Sequence, residues 1–514
     1  MKLLSMAIVL LSGFVALSYE ILWFRGFSFA SGALPLTFAI LLFAYLLGLG
    51  LGAALVGNRL PRVVEFAAAR GSISWLPVFL LIAAAISFSV LPLLGVFCTY
   101  GLWWLGFLPV ILAAGMMGSV LPLVSHFSIR ADPEAGKNLS HLYVANIIGS
   151  TLGSLLTGFL FLDWWTLSFV SGALTVLAIL LAAFAATLGS RKRLSTPALV
   201  ALVLALPLPL LLTTSFHAHF FERCFFKEDW GSEGRKFRTV IENRHGVIAV
   251  TEDDLVVGGG TFDGVITTEL KDHDRNWIAR PYTLGVLHDA PKRVLMVGLS
   301  AGPWAQIVAH LPGLEHLHVV EINPGYLELV AAYPAVQSLL KNPKVTISID
   351  DGRRYLRRHP SESYDLIVQN TTQHWRSNSS QLLSLEYFQL IRSRLKPGGI
   401  FMVNATGSEA VARTAFQVFP HGLRVYSALV VGDDPIAFSN EKWRTFLSSF
   451  QVDGRPVQLP DQESVRRELL DLGLKLGGTE RIESREQVLL RIGEGDVVTD
   501  DNMACEWRPL RWAP

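Results

Sequence analysis

The residues best placed to do chemistry stand where short apolar runs end. Glu321 closes Leu317-His318-Val319-Val320. It lies about twenty residues beyond the small-residue turn Gly298-Leu299-Ser300-Ala301-Gly302, an offset at which a carboxylate can accept hydrogen bonds from both hydroxyls of a ribose. Asp350 and Asp351, with Gly352 behind them, close Val345-Thr346-Ile347-Ser348-Ile349 and are placed to read an adenine amino group. After Asp365-Leu366-Ile367-Val368-Gln369 comes Asn370-Thr371-Thr372-Gln373-His374-Trp375-Arg376, which packs hydrogen-bonding, aromatic and cationic groups where open sheets bind substrates. His374 is a candidate general base because an imidazole titrates near neutrality, and Arg376 a candidate clamp for a carboxylate or phosphate. Thr371, Thr372 and Trp375 are candidate substrate contacts, and Asp263 is a second candidate base. Plainer roles stand beside these: a capped loop for the threonines, a surface ion pair for Arg376 and a turn for Asp263.

The elements that must hold these groups are legible as patterns. Arg293-Val294-Leu295-Met296-Val297 is a continuous apolar run, as in a strand buried on both faces, and it ends at the turn whose Gly298, Ser300 and Gly302 let backbone approach a ligand. Leu395-Lys396-Pro397-Gly398-Gly399 leads into a further strand. Strand ends in this order predict a doubly wound, Rossmann-like nucleotide-binding domain, or one that has lost its ligand. Val247-Ile248-Ala249-Val250 and Asp254-Leu255-Val256-Val257 predict a small hairpin sheet. Gly258-Gly259-Gly260 reads as its turn and not as a phosphate loop, since no Lys-Ser or Lys-Thr and no helical pattern follow.

Composition divides the chain. Of 514 residues 51% are hydrophobic and 17% charged, with mean hydropathy +0.39, above ordinary soluble composition. Seven apolar segments, at about 3–24, 34–56, 75–97, 102–124, 142–162, 165–188 and 197–214, are each long enough to cross hydrocarbon. The first lacks a strongly basic leader and is read as a span, not a cleaved signal. Trp103, Trp104, Trp164 and Trp165 sit at segment ends, as suits an interface. Gly48, Gly50 and Gly52, with Gly149, Gly153 and Ser154, predict close helix crossings. Glu20, Arg25, His126 and Asp163 are polar exceptions that either lie at the interface or find buried partners.

Arg59, Arg62, Arg70, Arg130, Lys137, Arg191, Lys192 and Arg193 follow the even-numbered segments, which makes those connections cytoplasmic. Seven crossings would then put the nucleotide domain outside. Pro207 and Pro209 fall in the middle of the seventh segment, so it is read as re-entrant or interfacial, which returns that domain to the cytoplasm. A net charge of +1 gives no reason to invoke nucleic acid. Three cysteines have no metal-ligand spacing, and no metal is expected; Cys224 and Cys505 are the pair that an oxidising compartment could join.

These motifs resemble the spermidine synthase family, the polyamine aminopropyltransferases, over about residues 242–406. Phe262-Asp263-Gly264-Val265-Ile266-Thr267 is similar to that family's LDGVIQ, Val320-Glu321-Ile322-Asn323 to its VEID, Asp351-Gly352 to its DG, and Tyr364-Asp365-Leu366-Ile367-Val368 to its YDVII. Glu386-Tyr387-Phe388 and Leu395-Lys396-Pro397-Gly398-Gly399 match in order. Tyr19-Glu20-Ile21-Leu22-Trp23-Phe24-Arg25, Leu142-Tyr143-Val144-Ala145-Asn146 and the acidic stretch Thr499-Asp500-Asp501-Asn502 before Cys505-Glu506-Trp507 resemble a bacterial subgroup in which several spans precede the catalytic domain.

The resemblance implies a class I methyltransferase-type fold and a donor that is decarboxylated S-adenosylmethionine or S-adenosylmethionine. It implies an aminopropyl-type transfer to a small-molecule or lipid-linked acceptor. A methyltransferase and a transporter with a non-catalytic nucleotide-sensing domain are the alternatives. The chain departs from the family where chemistry is expected. Gly298-Leu299-Ser300-Ala301-Gly302-Pro303 lacks the acid of GGGDGG; Asn370-Thr371-Thr372-Gln373-His374 lacks both acids of DSSDP; and YHE falls on Asn276-Trp277-Ile278. Asn370 holds the catalytic position but, as a neutral amide, cannot take a proton there.

The expected organisation is a membrane domain at 1–215, a small β domain at 216–290, the Rossmann-like domain at 291–435 and a C-terminal extension at 436–514 that packs on it, with the late acids bracing the fold. The expected setting is a bacterial inner membrane, crossed several times, with lipid as partner and homo-oligomerisation open.

Overall fold

The computed structural model of the protein describes residues 2–68, 75–130, 132–189, 203–370, 373–472 and 482–507. The chain forms two compact units, Met1–Val247 with Gly259–Thr261, and Ile248–Gly258 with Phe262–Pro514. The 216–290 segment is thus shared between them. Its first strand, β1 (Phe237–Asn243), belongs to the helical unit. Arg25 donates to the backbone oxygens of Asn243 at 2.6 Å and Arg244 at 3.0 Å, and Glu242 accepts the Leu167 N–H at 2.8 Å. Asp163 accepts the Arg244 N–H at 3.4 Å, so two of the polar exceptions in the apolar sequence are partners of the strand.

Among the described residues, the first unit contains seven helical stretches long and apolar enough to cross a membrane, with mean hydropathy from 1.4 to 2.4. Their side chains are apolar nearly all round, so close approach depends on small residues. A Cβ on Gly149 would stand 1.9 Å from Leu10 O, and one on Gly153 2.3 Å from Phe14 O, where Ala135–Leu156 packs on Lys2–Ala30. Gly48 and Gly52 of Pro35–Ala68 similarly meet Ile111 O at 2.4 Å and Gly115 O at 1.9 Å. Gly50 faces open space, and Ser154 turns its hydroxyl to Thr151 O. Trp104, Trp164 and Trp165 are exposed near the helix ends.

In the seventh segment a bend at Leu206–Pro207 separates helical Val203–Ala205 from Leu208–Phe216, whose N-cap is Pro207, because proline's fixed φ and missing N–H suit a first turn. One expectation is corrected here. Cys224 meets Cys98, with the sulfurs 3.5 Å apart, whereas Cys505 belongs to the other unit beside the Ser380 hydroxyl; all three are free thiols. Arg70, Arg191, Lys192 and Arg193 lie outside the described residues.

After β1, β2 (Gly246–Thr251) pairs antiparallel with β3 (Leu255–Gly258), Ile248 facing Gly258. Gly259 and Gly260, at φ +57° and +85°, make the turn into β4 (Thr261–Val265). The main sheet is formed by β5 (Arg293–Val297), β6 (His316–Glu321), β7 (Val345–Ile349), β8 (Tyr364–Gln369), β9 (Leu395–Asn404), β10 (His421–Val425) and β11 (Ala428–Gly432), with β14 (Ile482–Ser484) added at one edge. The short strands β12 (Gln451–Val452) and β13 (Arg455–Pro456) pair separately.

The order is β7-β6-β5-β8-β9-β11-β10-β14. The first five are parallel, and β11 is antiparallel to both β9 and β10. Counting from β5, the seven strands run 3-2-1-4-5-7-6, with the sixth and seventh joined as a hairpin. Residues Val294 to Val297 are at most 3% exposed, which accounts for their unbroken apolar run. Successive connections leave β5 toward β6 on one side and return to β8 on the other, opening a crevice at the carboxyl ends of β5 and β8.

The late acids brace the second unit. Asp500 forms a two-pronged pair with Arg353 at 2.7 and 2.6 Å and accepts the Ser384 hydroxyl, while Glu506 accepts the N–H groups of Asn378 and Ser380. The loop after β8 is thereby pinned from its far end.

Candidate active site

The turn after β5 is held in a conformation that only its own sequence makes cheap. Gly298 and Gly302 have φ of +90° and +95°, and Gly302 begins the helix Pro303–Val308. Between them Ser300 sits at φ +50°, an uncommon position for a residue with a side chain. Its hydroxyl lies 2.8 Å from Asp263 O and 3.1 Å from Asp263 Oδ2, fastening the turn to β4.

Glu321, at the end of β6, is 4% exposed and accepts the Leu299 N–H at 2.7 Å and the Asn323 N–H at 2.8 Å. Burial pushes its carboxyl up to about 7, against those two bonds. Asp351 caps the helix Gly352–Arg358 by accepting the Arg354 N–H at 2.7 Å. Asp350 is held by the Arg354 guanidinium and accepts the Asp351 N–H. A Cβ on Gly352 would come within 2.5 Å of Val297, so glycine there admits this helix against β5.

Beside these groups lies a cavity of about 250 Å³ at the strand ends. Asp263 and Gly264 of β4, Ser300 and Ala301 after β5, Asn370 after β8 and Asn404 of β9 contribute to its wall. Trp277, Arg280 and Trp304 close it from the helical segments, and Gln373 and Thr406 from the loops. Trp277, Ser300 and Thr406 all have positive φ, at +50°, +50° and +46°. Such conformations each cost of order 1–3 kcal/mol and collect at functional sites.

Asp263 is the only carboxylate on that wall among the described residues. Its Oδ2 accepts a short hydrogen bond from the Tyr326 hydroxyl. Burial raises its pKa, while Tyr326, the nearby Arg376 guanidinium and Ser300 pull it back down. Arg376 is itself lowered by burial and steadied by Asp263 and Tyr326.

Of the residues read from the sequence, Asp263, Asn370 and Ser300 share the cavity, and Arg376 stands within electrostatic reach of Asp263. His374 points elsewhere: its Nδ1 lies 2.7 Å from Thr406 Oγ1, its ring is absent from the wall, and burial lowers it to about 4. Trp375 occupies the same turn, and Thr371 and Thr372 lie outside the described residues. Sequence reasoning missed Tyr326, Arg280, and the pair Asn404 and Thr406 at the end of β9, which lie in three places in the chain and match no motif. Among the described residues no cluster of three His, Cys, Asp or Glu side chains forms a metal site.

Strand order, glycine turn and the acid ending β6 define the second unit as a Rossmann-like, methyltransferase-type nucleotide fold. Residues 283–418 match the spermine/spermidine synthase domain. The match overlaps the segment whose motifs carry the resemblance. It is 28% identical over 325 residues to the polyamine aminopropyltransferase of Mycobacterium tuberculosis, covering 59% of each chain. It is 27% identical over 326 residues to polyamine aminopropyltransferase 2 of Streptomyces coelicolor, covering 60% of this chain and 56% of the relative. The alignments thus span less than two thirds of these curated relatives. Among solved structures, a spermidine synthase in complex with the transition state analogue AdoDATO is similar at 20% identity and TM-score 0.38, covering 46% of this chain and 86% of that one. Human methyltransferase-like protein 13 in complex with SAH is similar at 18% identity and TM-score 0.28, covering 41% and 96%.

Proposed function

We propose that the second unit is a transferase that takes the aminopropyl arm of decarboxylated S-adenosylmethionine and passes it to an amine. The observation that carries this reading is Asp263: a half-buried carboxylate on a cavity at the switch point of the sheet, with its pKa raised toward the range of a working base. The residues at the neighbouring strand ends fit an adenosyl group, since the turn after β5 carries glycines at positive φ and Glu321 keeps acceptor capacity for ribose hydroxyls. The donor's sulfonium supplies an already electrophilic carbon. Asp263 accepts the amine's proton as the C–N bond forms; the C–S bond breaks and its electron pair stays on sulfur, giving methylthioadenosine. Orientation accounts for most of the remaining acceleration.

A methyl transfer from intact S-adenosylmethionine is the second reading, favoured by one feature: Ser300-Ala301-Gly302 offers no acid to hold the donor's amino arm. Incubation of the full chain with each donor separates them. Methylthioadenosine with an aminopropyl adduct supports the first reading, adenosylhomocysteine with a methyl adduct the second, and turnover of neither rejects both.

The first unit is proposed to span a bacterial inner membrane several times and to leave the transferase in the cytoplasm, close to a small or lipid-linked acceptor. Support comes from the seventh segment. Leu208–Phe216 and Phe220–Phe226 are separated by a break at His217–His219, and His219 has φ +55°. The whole stretch Val203–Asp229 is 27 residues long, but the break leaves helices of 9 and 7 residues, the first about 14 Å long against a hydrocarbon core of about 30 Å. A reporter fused after Pro514 should read as cytoplasmic, and a periplasmic signal would reject the placement.

A further inference from the structure

Arg280 is a buried cation on the cavity wall whose hydrogen bonds all go to uncharged acceptors. With 7% of its surface exposed, it donates from Nε to Trp277 O at 3.0 Å, from Nη1 to Asn404 Oδ1 and Ser427 Oγ at 2.9 Å each, and from Nη2 to Asn276 O at 3.2 Å. Its guanidinium carbon lies 5.0 Å from the centre of the Trp304 ring. A guanidinium has five N–H groups, and these bonds use four. Burial lowers its pKa to about 10, which leaves it protonated at neutral pH.

A guanidinium taken out of water calls for a counter-charge, and among the described residues no carboxylate bonds to this one. Asp263 is already engaged by Tyr326 and Ser300. The cavity wall therefore carries one carboxylate and one guanidinium, with the Arg376 guanidinium also acting on that carboxylate. A diamine would bring two positive charges to that pair, and one of them would meet Arg280. A molecule with one amine and one carboxylate meets its complement at both ends.

We propose that the acceptor held in this cavity is a carboxylate-bearing amine, with its carboxylate against Arg280 and its amine toward Asp263. The fate of the amine rests on the transferase reading above; the seat for the carboxylate rests on the cavity alone. Arg280 is then the residue that sets acceptor class, through bonds held rigid by Asn404, Ser427 and the Trp304 ring.

The test uses the full chain in lipid nanodiscs, loaded with methylthioadenosine, and two matched probe pairs that differ by one carboxylate: putrescine against ornithine, and cadaverine against lysine. Calorimetry should show the carboxylated member binding roughly tenfold or more tightly in both pairs, the scale of a charge-assisted bond. Arg280→Gln should erase that preference and Arg280→Lys retain part of it. Equal or tighter binding of the diamines, no binding of either member, or a preference that survives in a folded Arg280→Gln protein overturns the proposal. Should Arg280→Gln fail to fold, the pairs measured on the unaltered protein decide the matter alone. Product analysis with decarboxylated S-adenosylmethionine separates the two readings. Carboxylate-selective binding without methylthioadenosine release keeps the Arg280 assignment and rejects the transferase, whereas aminopropylation of putrescine only does the reverse.

Discussion

The Tyr326 hydroxyl donates a short hydrogen bond to Asp263 Oδ2 across 63 residues of sequence, tying the helix Gly325–Ala332 to β4 at the cavity. The bond favours the ionised carboxylate and opposes the upward push of burial on Asp263. Tyr326→Phe removes it, so Asp263 should take up a proton at higher pH. The acidic limb of the pH–rate profile should move upward, and turnover at neutral pH should fall roughly tenfold, a modest share of what general-base catalysis supplies. A limb that stays in place would show that Asp263 is not the base.

Glu321 predicts a pH-dependent nucleotide affinity. Burial sets its pKa at about 7, and ribose hydroxyls donate to the ionised form, so binding should release protons near neutrality. The sign follows: affinity is full above that pKa and falls as pH drops through it, by up to about tenfold per pH unit. Glu321→Gln should flatten the dependence and cost roughly 1.5–3 kcal/mol at pH 8, the range for a charged hydrogen bond. Calorimetry of methylthioadenosine in buffers of different ionisation heat measures both; a pH-independent affinity for the unaltered protein rejects the assignment.

His374 should behave as a support for Thr406. Its imidazole, lowered by burial to about 4, stays neutral across the working pH range. His374→Gln is expected to reduce turnover by less than about tenfold and leave the pH limbs in place, whereas Asp263→Asn should lose about 10²–10⁴-fold. Abolished turnover in His374→Gln with intact nucleotide binding would return the base to the imidazole.

In the helical unit, Gly149→Val forces a Cβ into Leu10 O, which it would meet at 1.9 Å, while the Cβ of Gly50→Val meets nothing within 4 Å. Overpacking of this kind typically costs about 1–3 kcal/mol, and backbone on both sides leaves little room to yield. Gly149→Val should cut the yield of monodisperse detergent-extracted protein severalfold, with Gly50→Val close to the unaltered chain. Equal yields would show that the crossing is looser than the geometry indicates.

Much of the fold was legible because it is written in local patterns. Seven apolar stretches follow from hydropathy within single helices. The buried strands at Arg293–Val297 and Tyr364–Gln369 follow from unbroken apolar runs, and Glu321 and Asp351 from their places just past such runs. The turn at Gly258-Gly259-Gly260 follows from conformations that glycine adopts freely. Each of these is decided by residues adjacent in the chain.

What only the tertiary structure decided involves distance and burial. Cys224 meets Cys98 because Phe220–Phe226 packs beside the end of Trp75–Cys98, which no spacing encodes. His374 has a base's intrinsic pKa, but burial against Thr406 takes it out of that range. Arg280 lies in a stretch with no motif, and its meaning comes from Asn404 and Ser427, 124 and 147 residues away, which bond its guanidinium without neutralising it. Charge, solvation and proximity are set by the whole packed unit. Local sequence therefore determines where the glycine turn and the strand-end acids fall, and packing decides which charged and polar side chains share the cavity and how far burial shifts them.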